Sequence, residues 1–523
     1  MKENRGITLI ALVITIIVLL ILAGVSISML SGENSILNRA GEASKKTTES
    51  QNIEKINIEV LGSYGNDGTI DVEKLKTNLE KIGANVNGNS LPLSVSYNEV
   101  NYRIDSNGKI KEEDNIEDIL TDNDYLIVMA SSKSKFEGKT NVGTIQEFKT
   151  MVDAGAFNYN TAYLYENIEL NGSETNMWSS IGTATNKFSK VFDGRNYNVN
   201  GIYASSSNQG QALFTYNAGT IKNLTVNGEI KGSADGVGGI VAQNDGIVEN
   251  CTSNVTIKGR EYVGGIVGYG TTTSTIRNCK STGNIEGEQI VGGIAGGCDG
   301  DIIGCTNNGK VKSTSSNSSV SSPTSGLCGT GGITGVEYSG TVSNSKNLGH
   351  IEGISNCVGG IVGTNHTASI ESCYNDGEIL AENGGTGGIV GFQKGSNPST
   401  KYCYNKNKVT SHSNIGGIVG DLSTGSVENC YNIGQVETYQ VNHTVYNIGG
   451  ICGRSLSGTN VKNSYTLNSL NLNVVGIPEE NTVDSLSSLK SDQEMKADAF
   501  LTIINSGGSF FKKGSDYPIL NWQ

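Results

Sequence analysis

From residue 210 onward, apolar and polar positions return in a fixed order at long range. A Gly-Ile pair recurs with its isoleucine at Ile240, Ile266, Ile294, Ile333, Ile361, Ile389, Ile418 and Ile451. Successive spacings are 26, 28, 39, 28, 28, 29 and 33 residues, a base period of about 28 with insertions. A second column reads Leu224, Cys251, Cys279, Cys305, Ser345, Cys373, Cys403, Cys430 and Ser464. Three residues before each of these stands a β-branched residue or its close equivalent, from Ile221 to Val461. Six residues after each, an aliphatic residue returns, from Ile230 to Leu470. The segments between turns are too short for helices, and none buries its apolar face alone. Stacking the copies at ~4.8 Å sets like above like. The pattern therefore predicts a mainly β fold, a right-handed parallel β-helix over 210–470 with three short strands per copy.

Upstream the pattern changes. Ile7 to Leu30 runs 24 residues without a charge, enough for a helix roughly 36 Å long that spans a bilayer. Lys2 and Arg5 precede it and Glu33 follows, so the N-terminus is expected inside and the bulk of the chain outside. A loose apolar stripe over Asn34 to Leu61 extends this helix, which gives one element over 7–62. Asp71 reads as the N-cap of a short helix, and alternating segments at 93–97 and 100–104 as strands. Together they predict a small α+β unit over 63–110, followed by an acidic and polar linker over 111–140. Thr144-Ile-Gln-Glu147 and Ser491-Asp-Gln-Glu494 are capping-box patterns. They open an N-terminal cap with lead-in coils (141–209) and a C-terminal cap (471–523) that ends in an apolar plug, Tyr517 to Trp522.

Composition sharpens this reading. There are 70 glycines but only 5 prolines, and 49 of the glycines lie between Gly210 and Gly458. They mark corners and close approaches in the repeat rather than disorder. Asn307, Asn347, Asn375, Asn405 and Asn432, two residues after the Cys or Ser column, are placed to stack as an amide ladder. The net charge of −13 excludes a general nucleic-acid binder.

The search for chemistry yields no catalytic, cofactor or metal site. Six of the ten cysteines (Cys251, Cys279, Cys305, Cys373, Cys403 and Cys430) follow the coil period and read as small buried hydrophobes. Cys298, Cys328, Cys357 and Cys452 fall elsewhere, and no C-x-x-C occurs. His350, His366, His412 and His443 occupy different phases of the repeat, without an H-E-x-x-H. Gly296-Gly-Cys-Asp-Gly-Asp301 is a single calcium-roll-like segment without the repeat such rolls need. Lys222, Glu249, Arg277, Glu371 and Glu428 share one phase and read as a solvated mixed-charge stripe.

Two resemblances add expectations. Lys2-Glu-Asn-Arg-Gly6 followed by Ile7-Thr-Leu-Ile-Ala-Leu12 resembles the start of type IV prepilins. That likeness implies a leader over 1–6, cleavage after Gly6 by prepilin peptidase, methylation of Ile7, and other pilins as partners. The family usually has Phe where Ile7 stands and Glu where Ala11 stands. Gly264-Gly-Ile-Val-Gly268 and Gly359-Gly-Ile-Val-Gly363 resemble the GLUG repeat of bacterial surface proteins, over about 145–523. Combined, these readings predict a bacterial cell-surface protein with a single membrane pass through 7–30. Its expected role is non-enzymatic: an adhesin or structural binding protein, or a pilin-like filament component, with an unspecified glycan or surface-protein ligand. The alternatives are a polysaccharide lyase or hydrolase, or a minor pilin.

Overall fold

The computed structural model describes residues 50–523 except 66–68, 88–90, 92, 99, 105–106, 114–123, 131–138, 206–209, 233–234, 316–327, 355–356, 439–446 and 480–481. The chain divides into two compact units, Met1–Ile119 and Leu120–Gln523.

In the first unit, residues 50–61 are helical, and a second helix runs Val72–Lys81. Asp71 caps the latter by accepting from the Lys74 amide at 3.0 Å. Leu75 and Leu79 are its buried face. With Ile56 and Val60 they form one core with an antiparallel sheet made of Asn85–Asn87, Leu93–Tyr97, Val100–Ile104 and Ile110–Glu113.

The second unit is a parallel β-solenoid. A full coil carries five short strands where the sequence pattern suggested three, as in Thr386–Gly387, Val390–Gln393, Ser399–Lys401, Tyr404–Asn405 and Val409–Ser411. The extra breaks fall at the Gly-Ile pair and at the Asn two residues after the Cys column. At the first, Ile389 forms a corner and bonds coil to coil through its own backbone, donating to the Ile418 carbonyl at 2.9 Å. Strands stack in register with their counterparts one coil away, for example Val362 with Val390 and Val390 with Val419. All eight isoleucines of the column are fully buried, each worth about 1.5–3 kcal/mol of transfer free energy before entropy is subtracted. The neighbouring glycine is required sterically: a Cβ on Gly360 would lie 2.0 Å from the Gly388 carbonyl oxygen and 2.6 Å from Asn375 Cγ.

The two ends of the array are covered differently. The helix Ile145–Asp153 has the capping box read from the sequence. It sets Phe148 among Phe157, Phe188, Phe192 and Phe214, with ring centroids 5.2–6.3 Å away. Tyr125–Met129 pairs with Thr161–Leu164, so it belongs to the solenoid's first turns. At the other end the helices Asp492–Lys496 and Asp498–Ile504 do not stack on the last coil. They lie against its flank, over a file of tyrosines: Tyr374, Tyr404, Tyr431 and Tyr465. Adjacent rings of the first three stack 4.9–5.0 Å apart and 2° from parallel. Trp522 Nε1 donates to the Ser372 carbonyl at 2.9 Å. The chain terminus is thus a lateral clip, and Leu470, read as the last aliphatic of the array, sits in a short 3-10 turn.

The membrane and pilin expectations are corrected here. Among the described residues no helix is long and apolar enough to cross a membrane. The helices present have 10 residues or fewer, or carry charge, as residues 50–61 do at Glu54, Lys55 and Glu59; a span needs about 20 apolar residues. Gly6, Ile7, Ala11 and the stretch 7–30 lie outside the described residues. The described residues form a mainly β parallel solenoid and an α+β unit, and none of them forms the expected transmembrane helix. The prepilin resemblance, the membrane, prepilin-peptidase and pilin partners, the membrane-anchored surface role and the single-pass localisation are not carried forward.

Candidate functional site

The cysteine column is polar as well as buried. The residue before each member turns the chain in the left-handed region: Asn250, Asn278 and Asn429 have φ of 52–54°, and Ser372 and Tyr402 follow with 52° and 55°. Asn tolerates this conformation better than most side chains, which accounts for the recurring Asn-Cys pair. Behind that corner each thiol turns inward. Cys373 Sγ donates to the Glu371 and Val342 carbonyls at 3.2 and 3.5 Å. Cys403 Sγ accepts from the Cys373 amide at 3.5 Å, and Cys430 Sγ from the Cys403 amide at 3.4 Å. Ser345 and Ser464 make the same contacts in their coils. Burial pushes the thiols of Cys279, Cys305 and Cys403 well above their ordinary range, so these are scaffold groups and not nucleophiles.

The mixed-charge stripe resolves into ion pairs between coils. Arg277 Nε donates to Glu249 at 2.6 Å, Lys401 lies 3.7 Å from Glu428, and Lys222 lies 3.5 Å from Asp193. His350 sits between Glu352 and Glu378, and His366 stacks on Tyr338. His443 falls outside the described residues. Asp301 accepts from the Thr341 amide, and Asp299 from the Tyr269 hydroxyl. Among the described residues no group of three or more His, Cys, Asp or Glu side chains is placed to hold a metal ion.

Some interior polar atoms have no partner, among them Ser281 Oγ and Thr466 Oγ1 in the register of the Asn ladder, and one of these interior groups is a carboxyl. Glu337 is fully buried and neither carboxylate oxygen has a hydrogen-bond partner. Its register partners are Cys298 in the coil below and Asn365 in the coil above. Burial, with Asp299 and Asp301 nearby, pushes its carboxyl well above the ordinary carboxylate range and so favours the neutral acid.

An aromatic concave feature lies near the start of the array. A groove of about 280 Å³ is lined by Tyr216, Asp235, Gln243, Tyr262 and Tyr269. Tyr216, Gln243 and Tyr269 share one outward file on successive coils, so the groove spans about 10 Å along the axis. Tyr262 and Tyr269 meet edge to face at 5.3 Å. The Tyr262 hydroxyl lies 3.2 Å from that of Tyr338, and Lys187 stands 5.9 Å over the Tyr216 ring. Asp235 pairs through Oδ2 with Arg260, while its Oδ1 has no partner.

The groove also carries backbone strain. In five coils the residue before a β-branched strand position has a positive φ: Gly236, Tyr262, Cys357, Gly385 and Asn414; the first two line the groove. Glycine and asparagine suit it; tyrosine at φ 53° and cysteine at φ 67° do not, at a cost of roughly 1–2 kcal/mol each. Such outliers persist where the surroundings enforce them, and they cluster at functional positions. Neither the groove nor this strain was visible in the sequence, because Tyr216 and Tyr269 are separated in their file by Gln243 and Tyr262 comes from a different phase of the repeat.

Comparison with known proteins bears on the repeat alone. The GLUG motif family matches residues 233–258, 259–286 and 354–380, the coils that contain Ile240, Ile266 and Ile361. No curated protein matches the chain. Among solved structures the chain is similar to a crystal structure of a provisionally assigned immunoglobulin A1 protease from Bacteroides ovatus. The two are 21% identical, over 69% of this chain and 86% of that one, with a TM-score of 0.34. The chain thus carries the GLUG motif on a parallel β-solenoid.

Proposed function

We propose that the solenoid is a non-catalytic binding scaffold that holds a short, uncharged saccharide segment in the groove of Tyr216, Tyr262 and Tyr269. The observation that carries this is the pairing of tyrosine faces with polar atoms that have capacity to spare. Aromatic rings take the C–H faces of a sugar; the Tyr269 hydroxyl already donates to Asp299 and the Tyr262 hydroxyl meets that of Tyr338, so toward a ligand their oxygens act as acceptors. The Gln243 side-chain amide, which lines the groove, offers a sugar hydroxyl both an acceptor and a donor. The pairing of Asp235 with Arg260 offsets its charge, which favours a neutral ligand.

Holding rather than cleaving is the better reading. Glycoside hydrolysis needs two carboxyls set across the bond, and Asp235 is the one carboxylate that lines the groove. A glycan array probed with the full chain, followed by mass spectrometry of the eluted ligand, tests both parts. Retention of an oligosaccharide that elutes intact is expected. No retained glycan refutes the saccharide assignment, and shortened or unsaturated product refutes the non-catalytic one.

A further inference from the structure

Cys328 and Cys357 differ from the column cysteines in what their sulfurs meet. The column thiols aim at backbone carbonyls, whereas Cys328 Sγ lies 3.3 Å from Cys357 Sγ. The two residues are 29 positions apart and occupy adjacent coils. The strands that follow them fix the approach: Thr330 pairs with Val358, and the Thr330 amide donates to the Cys357 carbonyl at 3.0 Å. Phe392 of the next coil completes a small cluster over the pair, and Lys394 stands 5.7 Å over the Phe392 ring. Cys357 holds one of the two strained places in the left-handed corner column. A glycine there would avoid the strain and lose the thiol.

We propose that Cys328 and Cys357 form an oxidation site that closes into a disulfide between adjacent coils, with a hydroperoxide as the oxidant.

The pair is polarised for this. The hydrogen bond with Cys357 holds the Cys328 thiol below its ordinary range, and the Lys394 charge adds to the effect. The same hydrogen bond, together with burial, pushes Cys357 up. Cys328 is therefore the attacking thiolate and Cys357 the partner that keeps its proton. Cys328 sulfur attacks the terminal peroxide oxygen; the O–O bond breaks and the departing alkoxide or hydroxide takes up a proton. Cys328 becomes a sulfenic acid. Cys357 sulfur then attacks Cys328 sulfur; the S–O bond breaks and water leaves with the Cys357 proton. Two thiols and one hydroperoxide give one disulfide, one alcohol or water, and one water. Bonding needs the sulfurs to close from 3.3 Å to about 2.05 Å, a shift within reach of side-chain rotation on neighbouring coils.

The test exposes the native full chain to hydrogen peroxide, then denatures, alkylates and digests it for mass spectrometry. The expected result is a cross-linked peptide pair joining Cys328 to Cys357, formed at least tenfold faster than any loss of alkylation at Cys279, Cys305 or Cys403. In Cys357→Ser the expected product is a dimedone adduct at Cys328. If both cysteines of the wild-type chain stay alkylatable, or the column cysteines oxidise as fast, the site is refuted. A Cys357→Ser chain that folds but gives no adduct at Cys328 overturns the assignment of the attacking thiol. If that variant does not fold, the wild-type cross-link alone decides the proposal.

Discussion

Asn347 and Asn375 stand one coil apart, and Nδ2 of the first donates to Oδ1 of the second at 2.8 Å. The same bond at the same length joins Asn307 to Asn347, Asn375 to Asn405, and Asn405 to Asn432. Each amide also closes its own turn: Asn375 accepts from the Gly377 amide at 3.2 Å and donates to its carbonyl at 2.8 Å. The ladder therefore satisfies polar groups of the turns and of the neighbouring coils at once, inside the solenoid.

Replacing one rung tests how far the coils depend on it. Asn375→Asp keeps the shape but removes both donors and sets a charge against Asn405 Oδ1. A buried, unsatisfied group costs about 1–3 kcal/mol, and more when it is charged. Urea unfolding is expected to lose at least about 2 kcal/mol for Asn375→Asp at pH 7. The loss should shrink at acid pH, as the introduced carboxyl takes up a proton.

The cysteine column makes a sharper prediction, because two ways of being buried have opposite consequences. If the thiols were only small hydrophobes, Cys403→Val would be mild. The Cys373 amide uses Cys403 Sγ as its acceptor, so valine strands that amide at about 1–3 kcal/mol. Cys403→Ser is expected to stay within about 1 kcal/mol, since Ser345 and Ser464 already perform this role. Thermal unfolding of the two variants against wild type checks the order.

Legibility in the sequence followed the repeat. Ile361, Cys373 and Asn375 were readable because each returns at the coil period, and parallel stacking turns that period into a column. The tyrosine file follows the same logic, since Cys-Tyr-Asn recurs at 373–375, 403–405 and 430–432, yet it gave no sign that the C-terminal helices would cover it. Tyr216 and Tyr269 share a file interrupted by Gln243, and Tyr262 joins them from another phase, so no repeated tyrosine marked the groove. Cys328 and Cys357 are 29 residues apart, close to the coil period, but the remaining coils hold other residue types there, so no recurring cysteine marked the pair. Glu337 occupies an interior file held elsewhere by Asn244 and Asn365, and nothing in its neighbouring sequence marks it as buried.

Glu337 sets a pH dependence of known sign. Its folded value is raised above the ordinary 4.5, so the folded chain binds this proton more tightly than the unfolded chain does. The stability it contributes is full below the unfolded value and is lost as pH rises toward the raised folded value. Glu337→Gln keeps a neutral group at every pH. Calorimetry is expected to show a variant close to wild type at pH 4 and increasingly more stable than wild type toward pH 8. A difference that does not change with pH would mean that Glu337 is not held neutral.

Tyr262 separates stability from binding. Glycine at 262 relieves the left-handed strain, about 1–2 kcal/mol. It forfeits the ring contact with Tyr269, about 0.5–1.5 kcal/mol, and adds unfolded-state freedom of about 0.5–1 kcal/mol. These terms nearly cancel. Tyr262→Gly is expected to unfold within about 1 kcal/mol of wild type by urea titration.

The most direct measurement of the central claim is calorimetric titration of one array-selected oligosaccharide into the full chain and into Tyr262→Gly and Tyr269→Ala. Saturable binding to wild type is expected, with at least a tenfold loss of affinity in both variants and their solenoid circular dichroism unchanged. Equal affinity in folded variants would contradict it and place the ligand, if any, elsewhere on the molecule.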